Sequence, residues 1–334
     1  MSKPTALVTG ACGFVGSHMV DLLLSDGFEV CATDRKNAPK KYLSKEAKFI
    51  AADITDVNSL EDLFDGNQFD KIYHIAALYD YIAPWERLYR INCLGTKNLM
   101  DVIAKKNPKA SSVIIWSSGA VFGDSFKKEP LKETDFPWPS NEYEKSKYIQ
   151  ETIALEYVKS HNIPVTVIRP SAIYGPRSMY GISVPVFLMK KGILRFIPGP
   201  GTARGAFAHV EDVVGSALFL SKKPEASGEI FNVCDDSPVT MREALLTVAA
   251  ALDVMFLDVC FPLWPVMLLS HINVAIARVL GIRPFLEPDL NQYMAEDFWM
   301  DNNKLKSFGY KLRQPDIKKG LAGAIAWYRK EGII

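Results

Sequence analysis

Residues 9–16 read TGACGFVG and follow directly on the apolar run Ala6–Leu7–Val8. The run is short and flanked by β-branched Thr5 and Thr9, which predicts a buried strand. Phe14–Leu24 then carries apolar residues at helical spacing. Strand, glycine turn and helix in immediate succession are the setting in which such glycines cradle a dinucleotide. Gly10 permits a tight turn, Gly13 lets backbone approach a pyrophosphate, and Gly16 lets the helix pack close on the strand. The phosphates would rest on free N–H groups where the helix begins, at Phe14 and Val15. The spacing is GxxGxxG, a variant of the GxGxxG fingerprint.

Further strands follow at regular intervals. Phe28–Thr33 ends in Asp34, an acid placed to accept hydrogen bonds from a ribose 2′-hydroxyl, which favours NAD. Arg35 and Lys36 next to it would suit the 2′-phosphate of NADP, the alternative cofactor. Phe49–Ala52 ends in Asp53, suited to an adenine edge or to capping the helix near Val57. Lys71–Ala77 is a fourth strand, and Ala76 and Ala77 leave room for backbone to touch a cofactor. His74 within it reads as packed core. Ser111–Ser117 is a fifth strand and Thr166–Pro170 a sixth. Strands alternating with helices predict an α/β fold, a Rossmann-type doubly wound parallel sheet with a smaller C-terminal substrate-binding lobe. The expected division is 1–170, with returning segments near 206–234, against 171–334. Val210–Leu220 and Met241–Leu252 read as helices, Gly228–Val233 as a strand and Pro198–Gly201 as a loop.

Ligands on open parallel sheets lie beyond the carboxyl ends of strands. Ser118 stands at such an end, where its hydroxyl can hydrogen-bond a carbonyl oxygen on which charge develops. Capping a turn is its bland alternative, and Ser117 is a rival. Tyr143 and Lys147, in YEKSK, are four apart on the expected helix Asn141–Val158 and therefore share a face. A phenol titrates near pH 10. A neighbouring ammonium should lower it and make the pair a proton shuttle near neutrality. Asn92, in INCLGTKN, is a candidate for ordering that helix or a water beside the cofactor, or for a local helix-bending hydrogen bond.

With TGACGFVG, Asp34, ADITD, HIAA, INCLGTKNL, SSGAVFG, YEKSK, VIRPSAIYGP, FAHVEDVV and GEIFNV in this order, the chain resembles the extended short-chain dehydrogenases/reductases, the NAD-dependent epimerase/dehydratase superfamily. The resemblance implies bound NAD(P) and a Ser–Tyr–Lys site. Ser118 would polarise a carbonyl, Tyr143 would act as acid–base and Lys147 would tune it. Gly10, Gly13 and Gly16 would hold the pyrophosphate, Asp34 the ribose, Asp53 and Ile54 the adenine, and Pro170 would line the nicotinamide. Nucleotide-sugar members usually carry Asn three residues after the arginine of the RP strand; here that place is Ala172. They also tend to carry Arg four residues before the histidine of FxHV; here that place is Gly205, with Arg204 one residue early. Both departures make the chain look more like the 3β-hydroxysteroid dehydrogenase and dihydroflavonol reductase branch. The expected substrate is then a small apolar molecule, with a nucleotide-sugar epimerase or dehydratase as the alternative. The resemblance also implies a homodimer, with helices from 84–106 and 141–160 forming the bundle.

With 39 Lys and Arg against 38 Asp and Glu, the formal net charge is +1. No basic excess points to nucleic acid. The 5 cysteines and 5 histidines show no metal-ligand spacing, so no metal is expected and the thiols read as reduced, which suits the cytoplasm. The first strand begins within a few residues of Met1, which argues against a signal peptide. Phe261–Gly281 is strongly apolar, with two prolines and Asn273. It reads as the roof of an apolar pocket or plain core, as a peripheral membrane contact, or, least well, as a spanning helix.

Overall fold

All six expected strands form, and the returning strand makes a seventh. In this computed structural model, residues 3–123, 129–236, 239–280 and 296–334 are described. The main-sheet strands are β1 (Thr5–Thr9), β2 (Glu29–Asp34), β3 (Lys48–Ala51), β4 (Lys71–His74), β5 (Ser112–Trp116), β6 (Val165–Pro170) and β7 (Ile230–Val233). They lie side by side in the order β7-β6-β5-β4-β1-β2-β3. Every neighbouring pair is parallel. Growth of the sheet reverses between β1 and β4, and a crevice opens there at the strand ends. The glycine turn after β1 and Ala76 after β4 both sit at that switch point.

Among the described residues, the α-helices of eight or more residues are α1 (Phe14–Ser25), α2 (Val57–Phe64), α3 (Gly95–Lys106), α4 (Glu142–His161), α5 (Ser183–Lys190), α6 (Val210–Leu220), α7 (Met241–Leu252), α8 (Leu263–Leu280) and α9 (Ile317–Lys330). One face of the sheet packs Ala6, Val8 and Ile114 against Met19 and Leu23 of α1 and Val213 and Ala217 of α6. The other packs Leu7, Ile72 and Ile115 against Leu60 of α2, Leu99 of α3 and Ala154 of α4. Strands covered on both faces are apolar throughout, as parallel sheets require. A third core joins Val186 of α5, Leu245 and Val248 of α7 and Leu321 and Ile325 of α9, and forms the smaller lobe.

Two expectations need correction. Asp56, not Asp53, caps α2, its carboxylate accepting from Asn58 N. Asp53 instead closes a turn on Thr55 N and Oγ1, both 2.9 Å away. Within 261–280, plain core is not what forms: among its described side chains α8 buries Ser270, Val274 and Ala277 and leaves Trp264, Leu268, Leu269, Ile272 and Ile276 exposed. Gly281 lies outside the described residues. Among the described residues no helix is long and apolar enough to cross a membrane.

Candidate active site

The glycine turn is sterically obligatory. Gly10 has φ +67°, and a Cβ there would lie 2.8 Å from Ala76 N. A Cβ on Gly16 would lie 2.0 Å from the Gly10 carbonyl oxygen, so only glycine lets α1 start against the loop. Gly13 is the residue before α1 and offers no side-chain cap, and no acidic residue stands in the first turn. The N–H groups of Phe14 and Val15 therefore begin a helix whose positive end is not internally neutralised. The Asp34 carboxylate lies at the loop, accepting from Cys12 N at 3.1 Å and from Arg35 N at 2.8 Å. The Arg35 and Lys36 side chains are exposed. Ile54 is buried beneath Gly95, where any Cβ would strike it at 2.8 Å. A glycine cradle, a free helix start and an acid at the β2 end fit a dinucleotide.

The candidate reacting groups stand after β5 and on α4, beside the end of β6. Ser118 follows β5, and its Oγ accepts from Ala120 N at 3.1 Å. It therefore does cap a turn, and its hydroxyl also acts on the Tyr143 phenol, favouring its ionised form. Ser117 is buried, and its Oγ has no partner among the described residues, so Ser118 is the serine that meets the tyrosine. Pro170 ends β6 next to this turn, its carbonyl 3.2 Å from where a Gly119 Cβ would stand. Asn141 caps α4 by accepting from Glu144 N, and Glu144 reaches back to Ser140 N at 2.7 Å. That reciprocal cap fixes where the helix carrying Tyr143 begins.

Tyr143 is buried among aromatic rings. Its centroid lies 5.3 Å from Tyr79 and 4.8 Å from Tyr81, and Tyr79 touches Tyr180 at 5.8 Å. Leu78, Ala83, Leu88 and Ala120 complete this cluster. Burial pushes the phenol above its usual value, with the Tyr79 hydroxyl adding to the rise and the Ser118 hydroxyl opposing it.

Here the structure corrects a central expectation. Lys147 shares the helix face with Tyr143, but its ammonium donates to the Trp116 carbonyl at 2.6 Å and to Gln150 Oε1 at 2.5 Å. The phenol is thus not lowered by a direct lysine contact. Burial instead lowers Lys147 itself to about 7, with Glu151 opposing the fall.

Gln150, which the sequence reading passed over, belongs to a buried relay of dipoles. Its Nε2 donates to Thr96 Oγ1 at 3.0 Å. His74 Nε2 lies 2.8 Å from the same hydroxyl, and His74 Nδ1 lies 2.8 Å from Thr9 Oγ1. Thr9 Oγ1 already accepts from Ile75 N and Ala76 N, so its own proton goes to His74 Nδ1. Thr96 donates to the Asn92 carbonyl at 2.7 Å and accepts from the other two. His74 is therefore neutral with its proton on Nε2, and desolvation takes it down to about 3. It is core, as its place in a buried strand suggests. The signal for Gln150 was its spacing: three residues after Lys147 lies on the same face.

Asn92 is fully buried, and its amide is spent on Leu78 and Ser146. Oδ1 accepts from Leu78 N at 2.7 Å, and Nδ2 donates to Leu78 O at 3.1 Å and to Ser146 Oγ at 2.9 Å. It ties the loop after β4 to α4 rather than facing a cofactor. Ala76 is half-buried and Ala77 exposed at the mouth of the crevice. Beneath α4, Arg169 pairs with Glu151 through two hydrogen bonds, at 2.5 and 3.1 Å, both side chains 2% exposed. Arg204 is engaged with Asp297 and lies over the Trp299 ring at 4.6 Å. Among the described residues no group of His, Cys, Asp and Glu could hold a metal ion.

The chain is similar to known proteins over most of its length. The family model for the NAD dependent epimerase/dehydratase family matches residues 6–234. Bovine (Bos taurus) sterol-4-alpha-carboxylate 3-dehydrogenase, decarboxylating, is 28% identical over 265 residues, 77% of this chain and 72% of that protein. Human dTDP-D-glucose 4,6-dehydratase is 30% identical over 243 residues, 68% of each. Thermus thermophilus UDP-glucose 4-epimerase, solved in complex with NAD, superposes with TM-score 0.78 at 22% identity, over 97% of this chain and 99% of that one; this likeness speaks for the fold. With the match covering the glycine cradle, Ser118, Tyr143 and Lys147, the chain belongs to the NAD-dependent epimerase/dehydratase family, enzymes of the extended short-chain dehydrogenase/reductase type.

Proposed function

We propose that this enzyme interconverts a secondary alcohol and a ketone on an apolar substrate, with NAD as hydride carrier. The observation that carries the reading is the wall around Tyr143, built from Tyr79, Tyr81, Leu78, Ala83 and Leu88. A sugar would require many paired polar groups at that place. Rings and aliphatic chains instead favour a flat apolar substrate, each Å2 buried contributing roughly 25 cal/mol. The departures at Ala172 and Gly205 argue the same way. Arg204, the nearest cation to the second of these places, is already paired with Asp297.

Bound NAD would supply the hydride acceptor or donor at nicotinamide C4. Gly10, Gly13, Gly16 and the N–H groups of Phe14 and Val15 would hold its pyrophosphate. Asp34 would take a ribose hydroxyl, which favours NAD over NADP, while the Arg35 side chain is exposed. Asp53 and Ile54 would border the adenine. Ser118 orients the substrate oxygen by a hydrogen bond. Tyr143, whose proton burial holds firmly, gives it to that oxygen in reduction and takes it back in oxidation. Lys147, one helical turn from the phenol, is held by Trp116 and Gln150 and makes no direct contact with it.

The test offers NAD and either a sterol secondary alcohol or a nucleotide-activated hexose to the purified protein, following absorbance of the reduced nicotinamide. The proposal expects growth of that band with the sterol alone. Conversion of the sugar nucleotide without release of reduced cofactor would overturn it in favour of epimerase or dehydratase chemistry.

A further inference from the structure

Residues 255–280 present their apolar side outward in two successive elements of different period. Leu257 N donates to Arg195 O, Ile197 N to Val259 O, and Gly199 N to Phe261 O, so 257–261 runs as an extended ladder along 195–199. Side chains two apart share a face of such a ladder. Leu257, Val259 and Phe261 therefore point the same way, and all are exposed, as is Met255 before them. The chain then enters α8, where the buried stripe is Ser270, Val274 and Ala277. The large residues Trp264 (70% exposed), Leu268, Leu269, Ile272 and Ile276 face out. A soluble surface helix turns its large apolar residues inward; this one turns the small ones inward. No Asp, Glu, Lys or Arg occurs from Val259 to Ala277.

Charge at the border identifies the occupant. Lys190, Lys191 and Arg195 are exposed along the neighbouring segment, with Ile193 (64% exposed) between them. The acid within the ladder, Asp258, is paired with Arg242, and Asp253 is exposed before it. A second copy pairing through this face would use the same patch on both chains and bring these cations toward their own counterparts. An anionic lipid surface is complementary to them and accepts the apolar side chains beneath its headgroups. A tryptophan at the start of the helix suits that boundary.

We propose that 255–280, with the basic edge at 190–195, docks the enzyme flat on an anionic membrane surface. The inference does not depend on which substrate the active site takes. The test is co-sedimentation of the full chain with phosphatidylserine–phosphatidylcholine vesicles and with phosphatidylcholine vesicles alone. Strong binding to the first and at least tenfold weaker binding to the second is expected. Leu268→Asp with Ile272→Asp should reduce binding at least tenfold, with melting temperature and circular dichroism unchanged because both positions are exposed. Lys190→Glu, Lys191→Glu and Arg195→Glu together should abolish the preference for anionic vesicles. Wild-type protein left in the supernatant, or binding untouched by the aspartates, would overturn the proposal. So would a dimer in sedimentation equilibrium that the aspartates dissolve while no vesicle binding is seen, which would assign the face to a second copy.

Discussion

Beneath Tyr143 the chain buries an ammonium, an amide, an imidazole and two threonine hydroxyls and gives each a partner. Along 255–280 it does the reverse, exposing leucines, isoleucines and a tryptophan that nothing among the described residues covers. Soluble proteins bury polar groups only when they are bonded and seldom expose contiguous apolar faces. The first region tolerates buried polarity because every donor there has a direction. Lys147 gives to Trp116 and Gln150, Gln150 gives to Thr96, and His74 is held between Thr96 and Thr9. In the second, the exposed apolarity is what the proposed docking face would use. The departures from the inside–outside rule thus fall at the candidate active site and at the proposed docking face.

The contrast makes graded predictions. Glu151→Ala strands the Arg169 guanidinium in a site 2% exposed, and breaking a buried pair this way costs about 3–5 kcal/mol; urea unfolding measures it. Gln150→Leu removes one of the two acceptors of Lys147 and leaves Thr96 short of a donor, worth about 1–3 kcal/mol, and turnover falls with it.

Gln150→Glu separates charge from packing. Lys147 lies at about 7 in the fold against about 10.4 in the unfolded chain. Between those values the unfolded chain binds more protons, so this residue makes the protein more stable as pH rises through that window. A carboxylate at position 150 favours the ammonium, raises its pKa and flattens the slope. The alkaline limb of the pH–rate profile should move up with it. Melting temperatures and rates from pH 6 to 10, taken in parallel, check both. An unchanged profile would detach Gln150 from Lys147.

Leu268→Ser should change stability in solution by no more than about 0.5 kcal/mol, as for other exposed positions. A loss of several kcal/mol would mean that α8 is core after all and would erase the comparison.

Much of the fold and the cofactor cradle was legible because their causes are local. TGACGFVG after a short apolar run needs glycine at 10 and 16 for reasons of contact with residues a few places away or in the next strand. The strands are apolar on both faces, so their places along the chain could be read. Tyr143 and Lys147 share a helix face, and spacing alone says so. Where the ammonium points does not follow from spacing. The Trp116 carbonyl and a glutamine on its own helix decide it, and the first of these is 31 residues away. Asp53 and Asp56 both precede α2, and only the backbone at each selects the cap. In 261–280 nearly every residue is apolar, so no periodicity separates inside from outside. The small residues Ser270 and Ala277 carry that information, and only the packed structure reveals it.

The central claim is that Tyr143 passes the proton while NAD passes the hydride. It is tested most directly by Tyr143→Phe, measured for NAD binding and for turnover of the sterol alcohol in the same preparation. The account predicts that NAD still binds and that turnover falls by about 10²–10⁴-fold, the range of a lost acid–base group. Turnover near the wild-type rate in a variant that binds NAD normally would contradict it.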